Sequence, residues 1–151
     1  MKTIYLASYK SRETFVDKAI QWITKGSYSH SEIFIMDEYG YVIGITSAGT
    51  EGGVKLRPVI NDPSKWDLIE LPFVSEQQIY DWYDVNKSDK YDWFGIVRFL
   101  FPFALPQHQS AWFCSECCAD IIKFKDAWRY DPSTLHDAVE RLVSHSYNSA
   151  K

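Results

Sequence analysis

The strongest constraint on the fold is the order of two periodicities. Up to Pro72 the chain reads as short β segments separated by turn residues, and beyond it the apolar spacing becomes helical. Strand-like patches occupy residues 3–8, 31–36, 41–46, 54–59 and 66–71. The links between them carry turn chemistry. Asp37-Glu38-Tyr39-Gly40 suits a hairpin, and Asn61-Asp62-Pro63-Ser64-Lys65 suits a polar turn. One early helix interrupts the strands: Phe15, Ala19, Trp22 and Ile23 fall at helical spacing, and Gly26 suits its C-cap. After Pro72, helices are predicted over 75–85, 91–100, 113–124 and 135–143, the first opened by Ser75-x-x-Gln78. A block of strands followed by helices is an α+β pattern, an antiparallel meander sheet packed against helices, and not a βαβ alternation. A chain of 151 residues suits a single domain over 1–143, with 144–151 expected to be a flexible polar tail.

Charge and hydropathy narrow the partners. The formal net charge is -4 and no Lys/Arg stripe is visible, which argues against nucleic acid. The N-terminal residues lack a signal-peptide apolar region, so a cytoplasmic location is expected, with delivery to the envelope by a phage particle as another route. The longest apolar run, 93–105, contains Arg98 and Pro102 and is too short to span a bilayer, so no integral membrane segment is expected. Aromatics make up 17% of the chain, enough for a core of large rings or for a groove that stacks sugar or grips acyl chains.

All three cysteines, Cys114, Cys117 and Cys118, lie within one short stretch. An odd cluster is not a disulfide framework. Three sulfurs in one helical turn would need a fourth ligand from His30, His108, His136 or His145, at no recognised spacing, so no metal is expected. A redox C-x-x-C would need a preceding βαβ unit. Packing accounts for Cys117 and Cys118, beside Ile121 and Ile122. Cys114 differs, because it opens the helix. There the unpaired N–H groups and the helix dipole favour a thiolate and offer an oxyanion site.

A thiolate nucleophile calls for a base, most often histidine. His108 lies in a loop, and His136 and His145 read as solvated surface. His30 stands at a strand entry, with Glu32 two residues on and therefore on the same face. A carboxylate there orients the imidazole and favours its protonated form. The alternative is an edge-strand pair facing solvent.

The segments Ser29-His30-Ser31-Glu32-Ile33 and Phe113-Cys114-Ser115-Glu116, in that order, resemble the circularly permuted branch of the NlpC/P60 papain-like superfamily. That branch holds the YiiX/YaeF-like proteins and is related to the lecithin:retinol acyltransferase group. Residues 91–96 (Y-D-W-F-G-I) and 51–55 (E-G-G-V-K) look similar too, and the resemblance covers roughly residues 1–140. It implies a papain-like fold with the nucleophile at a helix N-terminus, Cys114 as nucleophile, His30 as base and no cofactor. The substrate it implies is a peptide or a lipid: first a cell-wall peptide amide, and as the alternative a lipid acyl ester or N-acyl group. A catalytically silent binding module of the same fold is the remaining possibility.

The third catalytic member is less directly carried. Many members of the superfamily place a polar residue on the strand after the histidine strand. Here that strand offers Val42, Ile43 and Gly44, with Thr46 and Ser47 further along, so Glu32 is assigned as the orienting residue. Tyr91 reads either as a donor above the thiolate or as a core tyrosine beside a capping Asp92. Ser115 lends a backbone N–H at the oxyanion, and Glu116 complements the helix dipole. Gly52 and Gly53 suit a loop with positive φ. Residues 99–106 (F-L-F-P-F-A-L-P) read as core, as a dimer contact or as an apolar substrate groove.

Overall fold

The structure, a computed structural model, describes residues 1–94 and 111–149. Most of the helix expected over 91–100, the apolar stretch 99–106 and His108 lie outside the described residues. Alternating side chains build one five-stranded antiparallel sheet from β1 (Lys2–Tyr9), β2 (His30–Asp37), β3 (Val42–Ala48), β4 (Gly53–Val59) and β5 (Trp66–Glu70). The spatial order is β4-β3-β2-β1-β5. The first four strands form the expected meander. β5 crosses back to pair with β1, with Trp66 opposite Tyr9 and Ile69 opposite Leu6. The helices are α1 (Phe15–Thr24), α2 (Glu76–Asn86), α3 (Cys114–Ile121) and α4 (Pro132–Ser149). The α+β class read from the sequence therefore stands.

The sheet is apolar on both faces. Ile4, Leu6, Ile33, Ile35 and Ile45 pack with Ile79 of α2, Cys117, Cys118 and Ile121 of α3, and Leu135 and Val139 of α4. Burying each aliphatic side chain contributes about 1.5–3 kcal/mol. On the opposite face Ala7, Phe34 and Val42 pack beneath Tyr5, Met36, Val59, Trp66 and Leu68. The Trp66 ring centroid lies 5.0 Å from that of Phe34. This two-sided packing explains why the middle of β2 is apolar without alternation.

Several local expectations are corrected. Lys25, not Gly26, takes the left-handed C-cap of α1, at φ 52°. Gly26 is needed for a different reason: a Cβ there would overlap the Ser133 side chain. The helix is opened by a reciprocal capping box, Asp17 N donating to Thr14 Oγ1 (3.1 Å) and Thr14 N to Asp17 Oδ2 (2.9 Å). Phe15 and Trp22 point outward, while Ile20 and Gln21 are buried. Tyr91 starts no helix. It lies in a two-residue strand, β6 (Lys90–Tyr91), paired in parallel with β7 (Ala111–Trp112). The last helix continues past residue 143 through Ser149. Neither Gly nor Pro interrupts 144–149, and Ser146 Oγ donates back to Leu142 O at 3.0 Å. Asp131 caps its start, accepting from Ser133 N (2.9 Å) and Thr134 N (3.0 Å), with Pro132 at the first helical position. Among the described residues no helix is long and apolar enough to cross a membrane.

Candidate active site

The β7 strand delivers the chain to the start of α3. Phe113 occupies the N-cap in extended conformation, and no side-chain oxygen caps the helix. Glu116 Oε2 instead accepts from Phe113 N at 3.4 Å. Cys117 N is bonded to Phe113 O at 2.9 Å, one turn back. The N–H groups of Cys114 and Ser115 lie in the first turn, ahead of the first intrahelical bond. Cys114 is the first helical residue and is fully buried, packed with Ile20, Phe113 and Tyr91.

His30 begins β2, opposite Tyr9 of β1. Its approach is held by Ser29, whose N donates to Tyr9 O (3.0 Å) and whose hydroxyl donates to Asp17 Oδ1 (3.0 Å). The imidazole Nε2 lies 3.1 Å from Glu32 Oε1. Nδ1 is the ring nitrogen that Glu32 does not occupy, and Cys114 is near enough to act on the ring electrostatically. Burial by itself would lower the imidazole pKa. The charge of Cys114 and its hydrogen bond, followed by the bond to Glu32 and its charge, outweigh burial and raise the value to about 10.

Glu32 does not face solvent: its side chain is 1% exposed. Its Oε1 also accepts from Arg57 Nη2 at 2.7 Å, and Arg57 Nε pairs with Glu51 Oε1 at 2.6 Å. A buried carboxylate is costly unless paired, and this one has two cationic partners when His30 is protonated. Arg57 was not singled out in the sequence. The signal for it is the alternation of β4 combined with the register, which sets Arg57 opposite Gly44 of β3. Thr46 is not the orienting residue, since its hydroxyl donates to Ser31 O at 2.7 Å.

The imidazole, Glu32 and Arg57 line a cleft of about 380 Å³ whose apolar walls include Val16, Ile20, Trp66 and Trp93. Tyr91 lines it as well. Burial, then the charges of Cys114 and Asp92, push the Tyr91 hydroxyl pKa up, so the group stays protonated and able to donate. Its ring packs against Phe113 (centroids 5.8 Å) and against the cluster of Ile20, Phe113 and Cys114. Ser115 directs its hydroxyl elsewhere, to Tyr130 O at 2.6 Å, leaving only its backbone N–H at the helix start. Cys117 and Cys118 belong to the main core. Burial, then the hydrogen bond with Cys117 and its charge, push the Cys118 thiol pKa well up. Gly52 and Gly53 do take positive φ, at 79° and 142°.

No protein-family model and no curated protein matches this chain.

His136 is a correction. It is buried rather than solvated, because α4 packs this position against β1 and β5. Its Nδ1 lies 2.9 Å from Ser8 Oγ and its Nε2 3.3 Å from Tyr28 Oη, and the Tyr28 hydroxyl donates to Asp67 Oδ2 at 2.8 Å. This network stands apart from Cys114 and braces the loop that leads into His30. His145 is exposed on α4, with Nδ1 2.8 Å from Arg141 O. Among the described residues no group of three or more His, Cys, Asp or Glu side chains is arranged to hold a metal ion. What the site brings together is a thiol, an imidazole beside it, a carboxylate behind the imidazole and the N-terminal turn of a helix. These are the parts needed to transfer an acyl group through a thioester.

Proposed function

We propose that the protein is a papain-like cysteine hydrolase of the permuted NlpC/P60 kind, cleaving an amide or ester. The observation that supports this reading is the His30 imidazole 3.1 Å from the buried Glu32 carboxylate, near Cys114 at the first turn of α3, with the nearby thiol and carboxylate raising its pKa. Cys114 Sγ attacks the carbonyl carbon as a thiolate. The developing oxyanion is met by N–H groups at the start of α3, that of Ser115 included, and by the Tyr91 hydroxyl. The His30 imidazolium gives its proton to the departing amine or alcohol, leaving a thioester on Cys114. Water then attacks the thioester while neutral His30 accepts its proton, and the acid and the thiol are released. Glu32 keeps Nε2–H directed at itself and Nδ1 at the sulfur. Cys114 is fully buried and packs with Ile20, Phe113 and Tyr91, so a substrate reaches the sulfur only if side chains around it move.

The preferred substrate class is a cell-wall peptide amide, on the strength of the motif resemblance. A second reading, an acyl lipid, is favoured by the apolar walls of the cleft at Val16, Ile20, Trp66 and Trp93. The test is iodoacetamide labelling of each cysteine as a function of pH, followed by peptide mass spectrometry, in wild type and His30→Ala. Cys114 is expected to label well below the pH at which a free thiol with pKa of about 8.5 reacts, and to lose this in the variant. Slow labelling of Cys114 that His30→Ala leaves unchanged would refute the hydrolase and favour a silent binding module.

A further inference from the structure

Amphipathic helices of a soluble domain normally turn their apolar face inward. α1 does the reverse with its largest side chains. Phe15 is 85% exposed and Trp22 76%, while Ile20 and Gln21 point inward. Lys18 follows Phe15 by three residues and precedes Trp22 by four, so it shares their face. Arg12 stands just before the helix and Lys25 caps its end. Among the described residues Arg12, Lys18 and Lys25 make no ion pair.

The neighbouring acids are engaged. Glu13 pairs with Lys65 at 2.7 Å and accepts from Tyr9 at 3.0 Å, and Asp17 is taken up by Thr14 and Ser29. A groove of about 490 Å³ next to Trp22 is lined by Arg12, Gln21, Ile23, Lys25 and Gly26, with two cations and no carboxylate. On a chain of formal charge -4, this is a local concentration of free positive charge interleaved with bare aromatic side chains.

We propose that the outward face of α1 docks on an anionic lipid bilayer. Phe15 and Trp22 enter the boundary between headgroups and acyl chains, where aromatic side chains are favoured. Lys18 lies between them at headgroup level, and Arg12 and Lys25 frame a groove that fits a lipid phosphate. Charge selects this occupant over a second copy of the chain, which would bring a net negative body carrying the same cationic face. The opposite side of the helix supplies Thr14, Val16, Asp17 and Ile20 to the cleft, so docking sets the cleft beside the bilayer. This goes beyond the hydrolase reading and rests on no step of it.

The experiment is vesicle flotation with Cys114→Ala protein, which separates binding from catalysis. Vesicles contain about three parts phosphatidylcholine to one part phosphatidylglycerol, or phosphatidylcholine alone. The parent protein is expected to float with the anionic vesicles at low salt and to float less with the neutral ones. Phe15→Ser/Trp22→Ser is expected to lose about tenfold in partitioning. Lys18→Glu/Lys25→Glu is expected to fall to the level seen on neutral vesicles. All these side chains are exposed, so circular dichroism of both variants should match the parent.

No flotation of the parent with anionic vesicles overturns the proposal. Flotation that the aromatic pair does not alter also overturns it, because the lysines would then act without insertion. Self-association by light scattering, abolished by Phe15→Ser/Trp22→Ser without any vesicle binding, would assign the face to a second copy and overturn it too.

Discussion

Gly44 leaves the volume that the Glu32 carboxylate fills. The two residues sit on neighbouring strands, and a Cβ at Gly44 would overlap Glu32 Oε2 and crowd Val59 Cγ2. Gly44→Ala should therefore push the carboxylate away from His30. Overpacking of this kind costs about 1–3 kcal/mol. The expected result is a lowered Tm together with an acid-ward shift of the alkaline limb of Cys114 alkylation. An alanine variant with both unchanged would mean that Glu32 does not depend on this space.

His30 carries the pH dependence of the site. Its pKa is raised from 6.5 to about 10, so the folded chain favours the imidazolium. The stability this adds is fully present below about pH 6.5 and is lost as pH rises through about 10. On the proposed mechanism, the alkaline limb of hydrolysis, where the general acid is lost, is expected near the same pH. Glu32→Gln keeps the shape but removes the charge, and should move that limb down by about one unit. A limb that stays in place in Glu32→Gln would show that the thiolate alone holds the proton.

Much of this was legible in the sequence because two periods suffice to read it. Period two puts His30 and Glu32 on one face, and the turn residues bound each strand of the sheet. Phe113-Cys114-Ser115-Glu116 reads as a helix start, and that is where Cys114 sits. Arg57 was not legible, since its meeting with Glu32 depends on the register of three strands at once. Amphipathicity also gives a helix its faces without saying which is buried. In α1 the inward choice follows from Gln21, whose side-chain amide donates to Ser27 O at 2.9 Å, a contact made only after the loop folds back. The place of β5 beside β1, rather than beyond β4, is likewise a tertiary outcome.

Arg57 acts on His30 only through Glu32, which makes it a positioning residue. Arg57→Met removes one of the two cationic partners of a buried carboxylate. The expected loss is about 1–3 kcal/mol, less than for a fully buried pair, because water reaches the guanidinium. Freed from Arg57, Glu32 should hold the imidazolium more tightly, so the alkaline limb should move up, opposite to its shift in Glu32→Gln. Arg57→Lys should restore part of the stability and part of the wild-type limb. A merely structural role for Arg57 would lower Tm without moving the limb.

His136 predicts the acid side of the stability curve. Burial pushes its pKa below 6.5, and the charges of Glu140, Asp137 and Asp67 only partly oppose this. The folded chain thus prefers the neutral ring, between Ser8 and Tyr28, while the unfolded chain takes up a proton at about pH 6.5. Stability should fall as pH drops below about 6.5, until the folded-state ring is protonated as well. Asp67, whose carboxyl is held below its ordinary value of 3.8 despite burial by Lys10 and Tyr28, should add its own loss only at lower pH. Tm measured between about pH 7.5 and 5 is expected to decline in wild type and to flatten in His136→Gln, whose amide is uncharged throughout this range. The same slope in both proteins would place the titrating group elsewhere.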